Sequence, residues 1–216
     1  MFTAISLLLS QVTCYASDGN SSATVEATIP AKGYDNSGSV FPSAMRFSFG
    51  NCTYDIPFLE HATRVCDKKI KTNFHIPVQA GANVWVHLEY LPYKDDLILV
   101  YDTQNDREDW SAGMVTRLDG KSLTPKWSIE ISGFNTCPCL REGSMLYVTA
   151  SRFIGKIDLD KGQYLWSVKL DEPYDLVEVP RLINNKLILK ENIEGTKKAK
   201  ARIIEINKET GEILKK

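Results

Sequence analysis

The feature that most constrains this chain is a repeat within its C-terminal two-thirds. A Leu-Asp pair ending at Asp119 is followed by Trp127, and an Ile-Asp pair ending at Asp158 is followed by Trp166. The two aspartates are 39 residues apart, and so are the two tryptophans. Self-similarity at a fixed period of this length is the signature of structural units that stack on one another. The chain is therefore predicted to contain units that share one architecture.

A third copy of the repeat keeps part of the motif. In the run 206–214, Gly211 occupies the position that Gly162 has in the second copy. The offset has grown to 49 residues, and Lys215 stands where the earlier copies have tryptophan. The additional residues fit the polar segment 194–201, because insertions are tolerated in surface loops.

Short apolar runs alternate with polar turn clusters from about residue 83 onward. Residues 97–101, for example, are five apolar residues between polar neighbours, too few for a helix and suited to an interior strand. No run of apolar residues at helical spacing follows residue 80. The pattern predicts an all-β fold with little helix. The runs are 83–92, 97–103, 112–118, 125–131, 145–150, 153–159, 163–170 and 186–193.

Residues 157–166 resemble the tryptophan-docking repeat of quinoprotein-like (PQQ-like) β-propellers, in which an apolar-Asp pair is followed by Thr-Gly and then Trp. In that family the segment is a hairpin between the third and fourth strands of a blade, and the tryptophan packs between neighbouring blades. Asp158 and Gly162 suit the turn, and Trp166 offers a large rigid surface. Lys161 departs from the family's threonine, the first copy lacks the glycine, and the third lacks the tryptophan.

The resemblance implies about three four-stranded, propeller-like blades within a single domain of residues 41–216. Closed propellers usually need at least four blades, so a small, irregular or incomplete β-propeller is expected after a disulfide-bearing N-terminal segment. Two alternatives stay open: residues 41–80 complete the ring, or the blades form an open array that needs a partner or a second copy. The expected blades are 83–131, 137–170 and 176–215.

The N-terminus has the pattern of a secretory signal. A short apolar run precedes Cys14 and Ala16, small residues at the two positions that signal peptidase recognises, which predicts a signal peptide of residues 1–16. The run is too short to span a bilayer. A lipid anchor on Cys14 is the alternative, although Thr13 is unusual in lipoprotein signals. Residues 17–40 are small and polar and are predicted to be a flexible leader. The protein is expected to be exported, either periplasmic or secreted.

Removal of the signal leaves an even number of cysteines, which suits disulfide formation in an oxidising compartment. These are Cys52, Cys66, Cys137 and Cys139. Four cysteines allow three connectivities, and Cys52 with Cys66 is preferred because the pair closes a compact loop. Cys137-Pro138-Cys139 could form a short ring, pair with the other two cysteines, or act as a redox or soft-metal motif. A structural role is favoured, because catalytic dithiols usually have two residues between their cysteines.

The charge balance argues against a nucleic-acid partner. Lys and Arg number 26 and Asp and Glu number 27, so the net charge of -1 supplies no cationic field for phosphates or anionic lipid. One local run is basic but flanked by glutamates, and it is predicted to be a solvated hairpin tip. This run consists of Lys197, Lys198, Lys200 and Arg202.

Candidate catalytic and metal-ligating groups are few, and neither a cofactor nor a metal is predicted. The sequence contains no phosphate-binding loop and no nucleophile elbow. The histidines, which share no metal-ligand spacing, are His61, His75 and His87. An acidic cluster beside Trp110 does not match a known calcium loop and is predicted to be a solvated turn. The cluster consists of Asp102, Asp106, Glu108 and Asp109.

The resemblance also implies a class of function. Enzymes of the quinoprotein family use large propellers with catalytic acids and dense cofactor ligands, and no residue here matches those positions. A chain of this size is more similar to non-enzymatic members, such as the propeller lipoprotein of the bacterial outer-membrane assembly machinery. We therefore expect a non-catalytic module that binds another protein of the cell envelope. The alternatives are an immunity protein that neutralises a toxin, and a redox or quinone-dependent enzyme fragment.

Overall fold

The computed structural model describes the chain between residues 25 and 215, with gaps. Within the described ranges the chain forms twenty β-strands and no helix, as the short apolar runs predict. None of these ranges holds a helix long and apolar enough to cross a membrane. The described ranges are 25–27, 29–30, 32–33, 44–57, 61–78, 83–105, 110–132, 137–170, 174–176, 180–193 and 202–215.

Four antiparallel sheets, numbered in chain order, contain these strands. The strands that open the described chain are β1 (Val25–Ala27), β2 (Ile29–Pro30) and β3 (Lys32–Gly33). Sheet 1 contains β4 (Ala44–Phe49), β5 (Cys52–Pro57), β6 (His61–Cys66) and β7 (Ile70–His75). Sheet 2 contains β8 (Asn83–Tyr93), β9 (Asp96–Asn105), β10 (Trp110–Leu118) and β11 (Pro125–Ile131). Sheet 3 contains β12 (Cys137–Glu142), β13 (Met145–Ala150), β14 (Phe153–Asp158) and β15 (Gln163–Lys169). Sheet 4 contains β16 (Tyr174–Leu176), β17 (Arg181–Ile183), β18 (Lys186–Ile193), β19 (Arg202–Asn207) and β20 (Ile213–Lys215), with β16 and β17 both paired to β18.

Neighbouring sheets pack face to face, which explains why β9 contains the continuous apolar run 97–101. Side chains alternate between the two faces of a strand. Accordingly, Leu99 and Tyr101 lie in the cluster shared with sheet 1, while Ile98 and Val100 lie in the cluster shared with sheet 3. A third cluster, which includes Tyr147, joins sheets 3 and 4. Each interior sheet is therefore buried on both faces.

The array of sheets is open. Among the described side chains, apolar clusters join sheet 1 to 2, sheet 2 to 3 and sheet 3 to 4, and none joins sheet 4 back to sheet 1. The predicted all-β fold of propeller-like blades in an incomplete propeller is confirmed. Residues 44–75, whose role the sequence left open, form a blade of their own rather than a separate segment.

The N-terminal strands cross three sheets in turn. Strand β1 pairs with β12 of sheet 3, β2 with β8 of sheet 2, and β3 with β4 of sheet 1. Each of these sheets gains a fifth strand on its first edge. Residues 25–33 belong to the segment 17–40, for which the composition predicted a flexible leader. Strand pairing uses main-chain groups and needs no large apolar side chains. The predicted signal peptide 1–16 lies outside the described residues.

The disulfide predicted between Cys52 and Cys66 is present, and it bridges β5 and β6 at directly paired positions. Cys139 is buried in the cluster between sheets 2 and 3. The side chain of Cys137 lies outside the described residues, as does all of Cys14. The pairing of Cys137 and Cys139 stays a prediction.

Candidate functional site

Three hairpins at the sheet junctions share one capped geometry. They connect the last two strands of sheets 2, 3 and 4, and each begins at a side chain that accepts the N–H groups two and three residues ahead. Oδ1 of Asp119 accepts them at 3.0 and 2.9 Å. Oδ1 of Asp158 does so at 2.9 and 3.1 Å, and Oδ1 of Asn207 at 2.9 and 3.3 Å. The three copies of the sequence repeat thus form the same local structure.

A residue with positive φ closes each of these hairpins. The φ angles are +59° at Leu123, +66° at Gly162 and +76° at Gly211. The amide N–H of each residue donates to the carbonyl oxygen of its capping residue at 2.8 to 2.9 Å. Because the left-handed region is unfavourable for residues with a Cβ, the first hairpin adopts the shared shape at a cost that the other two avoid.

Trp127 of sheet 2 docks on the capped hairpin of sheet 3. Its indole Nε1 donates to the carbonyl oxygen of Leu159 at 3.2 Å. Its ring covers Gly162 so closely that a Cβ at that glycine would lie 2.7 Å from Cδ1 of the ring. The position therefore requires glycine for space as well as for its φ angle.

Trp166 of sheet 3 makes the same contact with the hairpin of sheet 4. Its indole Nε1 donates to the carbonyl oxygen of Lys208 at 3.0 Å. A Cβ at Gly211 would lie 2.8 Å from Cδ2 of the ring. Tryptophan docking therefore joins sheet 2 to sheet 3 and sheet 3 to sheet 4.

A basic side chain accompanies each docked tryptophan and donates to the same carbonyl oxygen. Nη1 of Arg117 donates to Leu159 at 2.7 Å. Nζ of Lys156 donates to Lys208 at 3.1 Å and to the carboxylate of Glu209 at 2.6 Å. Each basic residue is the cross-strand partner of its tryptophan. Sequence reasoning missed these residues, although they are 39 positions apart like the tryptophans.

The junction between sheets 1 and 2 is built from different side chains. Arg64 donates from Nη1 to the carbonyl oxygen of Gly120 at 2.8 Å and from Nη2 to that of Lys121 at 3.1 Å. Its partner on the outer strand is Thr72 rather than a tryptophan. Leu123 is 1% exposed and packs within the apolar cluster that the two sheets share. At this junction Arg64 has the position of the basic residue, Thr72 that of the tryptophan and Leu123 that of the glycine.

A buried carboxylate positions Arg117. The side chain of Asp96 is 4% exposed and accepts from Nε of Arg117 at 2.6 Å, from Nζ of Lys126 at 2.8 Å and from the N–H of Gly120 at 3.2 Å. Burial alone would raise the pKa of Asp96, but the donors outweigh burial and hold the pKa below its ordinary value of 3.8. The carboxylate is therefore ionised at neutral pH and holds the arginine against the next sheet.

Sheet 4 carries charged residues where the preceding sheets have docking residues. Glu205 occupies the position of the basic residue and Lys215 that of the tryptophan, and the two are cross-strand partners. Their charged atoms lie 4.0 Å apart, and Nζ of Lys186 donates to Glu205 at 2.7 Å. The hydrogen bond from Lys186 holds the pKa of Glu205 below its ordinary value. Sheet 4 thus carries ion pairs at the positions where sheets 2 and 3 have docking residues.

The outer face of sheet 4, which points away from sheet 3, nevertheless keeps exposed apolar side chains. Ile183 is 52% exposed and Ile203 is 43% exposed. Cross-strand pairing places a set of eight side chains on this face, which we call the end face. The set is Arg181, Ile183, Lys186, Ile188, Lys190, Ile203, Glu205 and Lys215.

The outer face of sheet 1, at the other end of the array, is polar. The guanidinium of Arg46 pairs with the carboxylate of its cross-strand partner Asp55. A shallow groove of about 440 Å³ lies beside this pair and is also lined by Asn51, Thr53 and Lys68. The two ends of the array therefore differ in chemistry.

The other candidates from the sequence do not assemble into a site within the described residues. His61 and His75 are partners on adjacent strands, and no group of three or more His, Cys, Asp or Glu in those residues is arranged to hold a metal. The side chain of His87 lies outside them. Asp102 lies buried in β9 rather than in a solvated turn, because the strand continues through it. Residues 106–109 and 197–200 lie outside the described ranges, and Arg202 begins β19.

Comparisons with known proteins find likeness in solved structures only. No family model matches the chain, and no curated protein matches it. BamB from Moraxella catarrhalis is 12% identical over 76% of this chain and 60% of that one, with a TM-score of 0.46. Apo AztD from Citrobacter koseri is 12% identical over 90% and 56%, with a TM-score of 0.47. A Bacteroides caccae protein of unknown function is 12% identical over 88% and 60%, with a TM-score of 0.37.

The chain spans no more than 60% of the length of these three structures. The architecture follows from the chain's own geometry: four antiparallel sheets packed face to face, capped hairpins between the last two strands of sheets 2, 3 and 4, and tryptophans docked on the next hairpin. The chain is an open array of β-propeller-like blades in which a tryptophan of one blade docks on the capped hairpin of the next.

Proposed function

We propose that this chain is an exported, non-catalytic module that binds another protein in the cell envelope. The observation that carries the proposal is the end face, a solvent-exposed apolar surface on a rigid array. Its isoleucines, Ile183 and Ile203, are about half exposed. Contiguous apolar surface of this kind marks interaction sites in soluble proteins.

The docked junctions supply the rigidity that such a surface needs. Each tryptophan and its basic neighbour hold one sheet against the hairpin of the next, so the end face is attached to a packed scaffold. A preorganised surface loses little entropy when it binds. The scaffold therefore suits recognition by surface complementarity.

Export is supported by two independent features. The N-terminal sequence 1–16 has the pattern of a signal peptide. The Cys52–Cys66 disulfide joins paired strands, and disulfides of this kind persist in oxidising compartments. Intact mass of the protein recovered from its source cells would test export, with cleavage after Ala16 and the loss of at least two hydrogens as the expected result.

The binding function is tested by affinity capture from an envelope extract of the source cells. The bait is the chain from residue 17 to residue 216, and the control bait is an unrelated exported disulfide protein of similar size. We expect at least one protein to be enriched on the bait alone and to bind saturably after purification. Absence of any saturable partner overturns the proposal. A toxin as the partner would identify an immunity protein.

A ligand titration tests the competing enzyme hypothesis. Any ligand that binds the native state raises the melting temperature by mass action. We expect pyrroloquinoline quinone, with and without calcium, to leave the melting temperature of the chain unchanged. A concentration-dependent rise would favour the quinone-dependent enzyme.

A further inference from the structure

We propose that the end face binds a partner protein that presents an apolar patch surrounded by carboxylates. This inference rests on the proposed binding function and adds which surface binds and what chemistry it recognises. Three observations on sheet 4 support it. The end face corresponds to the faces by which the preceding sheets pack, it carries a stripe of isoleucines, and most of the charged residues around that stripe are basic.

The end face corresponds to the face by which the preceding sheets pack on their successors. Val115 and Ile154 lie two residues before the basic docking residues of sheets 2 and 3. Ile203 lies two residues before Glu205, which has the same position in sheet 4. Val115 and Ile154 are 0% exposed against the next sheet, whereas Ile203 is 43% exposed. The same structural position is thus covered at both interior junctions and uncovered at the end.

The isoleucines of the end face form a diagonal stripe. Ile188 lies on the central strand of the sheet. Ile183 and Ile203 lie on the flanking strands, each two residues from the residue directly opposite Ile188. Side chains in this diagonal relation are about 7 to 8 Å apart and can be covered together by one partner surface. The stripe is therefore a single apolar target.

Cations dominate the rest of the end face. The chain as a whole has a net charge of -1, but this face carries four basic residues and one acidic residue among its described side chains. Glu205 is already paired with Lys186 and lies near Lys215. Complementary charge steers association and selects partners. A surface with carboxylates around its apolar centre fits best. The basic residues are Arg181, Lys186, Lys190 and Lys215.

A second copy of this chain does not fit the end face. Continued stacking would need a tryptophan and a basic residue, and Lys215 and Glu205 stand at those positions. The outer face of sheet 1, against which a second copy would stack, has its carboxylate Asp55 already paired with Arg46 and also carries Lys71, so it has no surplus of carboxylates to meet the cations of the end face. Two end faces placed against each other would repel, because cations would oppose cations. The partner is thus a different protein.

The inference is tested with a displayed library of random peptides, linear and disulfide-closed, selected against the full mature chain. We expect the enriched peptides to combine large apolar residues with Asp or Glu. Their affinity should fall about tenfold or more for Ile203→Glu and for Arg181→Glu. It should also fall as salt is raised, because exposed charges are screened.

Matched controls separate binding from folding. Lys71→Glu makes a comparable charge change at the opposite end of the array, and we expect it to leave peptide affinity unchanged. Urea unfolding should show all three variants within about 0.5 kcal/mol of the parent, since the substituted side chains are exposed at the surface. Peptides that bind Ile203→Glu as well as the parent, or that carry no acidic residue, overturn the inference.

The capture experiment distinguishes a wrong assignment of the end face from a wrong binding function. If capture yields a partner whose affinity is unaffected by Ile203→Glu and Arg181→Glu, the binding function stands and the assignment of the end face is wrong. If capture yields no partner while the peptides behave as expected, the surface is correct and the envelope function is wrong. Self-association that is lost in Ile203→Glu also overturns the inference, because it makes a second copy the occupant.

Discussion

The junction between sheets 1 and 2 and the two junctions that follow it join similar surfaces with different side chains. At the later junctions a tryptophan and a basic residue converge on one carbonyl oxygen, and a glycine leaves room for the ring. At the first junction Arg64 supplies the donors and Leu123 fills the apolar space. Both arrangements hold one sheet against the next.

The comparison identifies what the junctions share. In every case the acceptor is the carbonyl oxygen of the residue after the cap, namely Gly120, Leu159 or Lys208. A buried carbonyl without a partner costs about 1 to 3 kcal/mol, so each junction needs a donor from the preceding sheet. The aromatic ring is one way to bring that donor, and the guanidinium of Arg64 is another.

The largest effect that separates the two kinds of junction is expected from Trp127→Ala. The change removes a large half-buried side chain and one donor to Leu159, and it should lower the free energy of unfolding by about 3 to 4 kcal/mol. Thr72→Ala, at the corresponding position of sheet 1, should change it by less than about 0.5 kcal/mol. Urea denaturation measures both. Equal losses of unfolding free energy in the two variants would show that the side chain at this position of the outer strand contributes equally to stability at both kinds of junction.

A smaller effect of about 2 to 3 kcal/mol is expected from Gly162→Ala. The new Cβ would overlap the ring of Trp127 and would also occupy the left-handed region. Gly143 is the matched control, since its φ is +59° and no atom lies within 4 Å of a Cβ built there. Gly143→Ala should therefore cost only about 1 kcal/mol. Similar losses for the two variants would contradict docking of the ring on the hairpin.

Leu123→Gly tests the first junction through the sign of its effect. If the leucine were only a poor substitute for glycine, the change would relieve the positive φ and stabilise the protein by about 1 kcal/mol. We expect destabilisation by about 1 to 2 kcal/mol, because the side chain is fully buried between sheets 1 and 2. Stabilisation in urea denaturation would show that packing at Leu123 contributes little.

The local parts of this architecture could be predicted from the sequence, because turn chemistry and the apolar pattern are local. Asp158, Gly162 and Trp166 lie within nine residues and mark one hairpin. The continuous apolar run 97–101 identified a strand buried on both faces. The bounds of the blade 83–131 follow from such runs.

The remaining features depend on distant partners and leave little local signal. Arg64 donates to the carbonyl oxygen of a residue 56 positions away. A single arginine in a polar strand gives no sequence signal that predicts this contact. Strands β1 to β3 pair with their sheets through main-chain groups, and amino-acid composition does not predict such pairing. The sequence did not assign residues 44–75 to a blade, because they lack the docked tryptophan and the capped hairpin of the repeat.

The smallest effect concerns the caps, where sheet 2 has an aspartate and sheet 4 an asparagine. Hydrogen bonds from the backbone N–H groups of Ser122 and Lys121 hold the pKa of Asp119 far below its ordinary value of 3.8. A carboxyl whose folded-state pKa is lowered stabilises the protein above its unfolded-state pKa, and this stabilisation is lost as the pH falls toward the folded-state value. Asp119→Asn should therefore flatten the loss of stability on acidification from about pH 5 to about pH 2. Asn207→Asp should steepen it, and unchanged slopes in both variants, measured by urea midpoints, would show that neither cap is linked to folding.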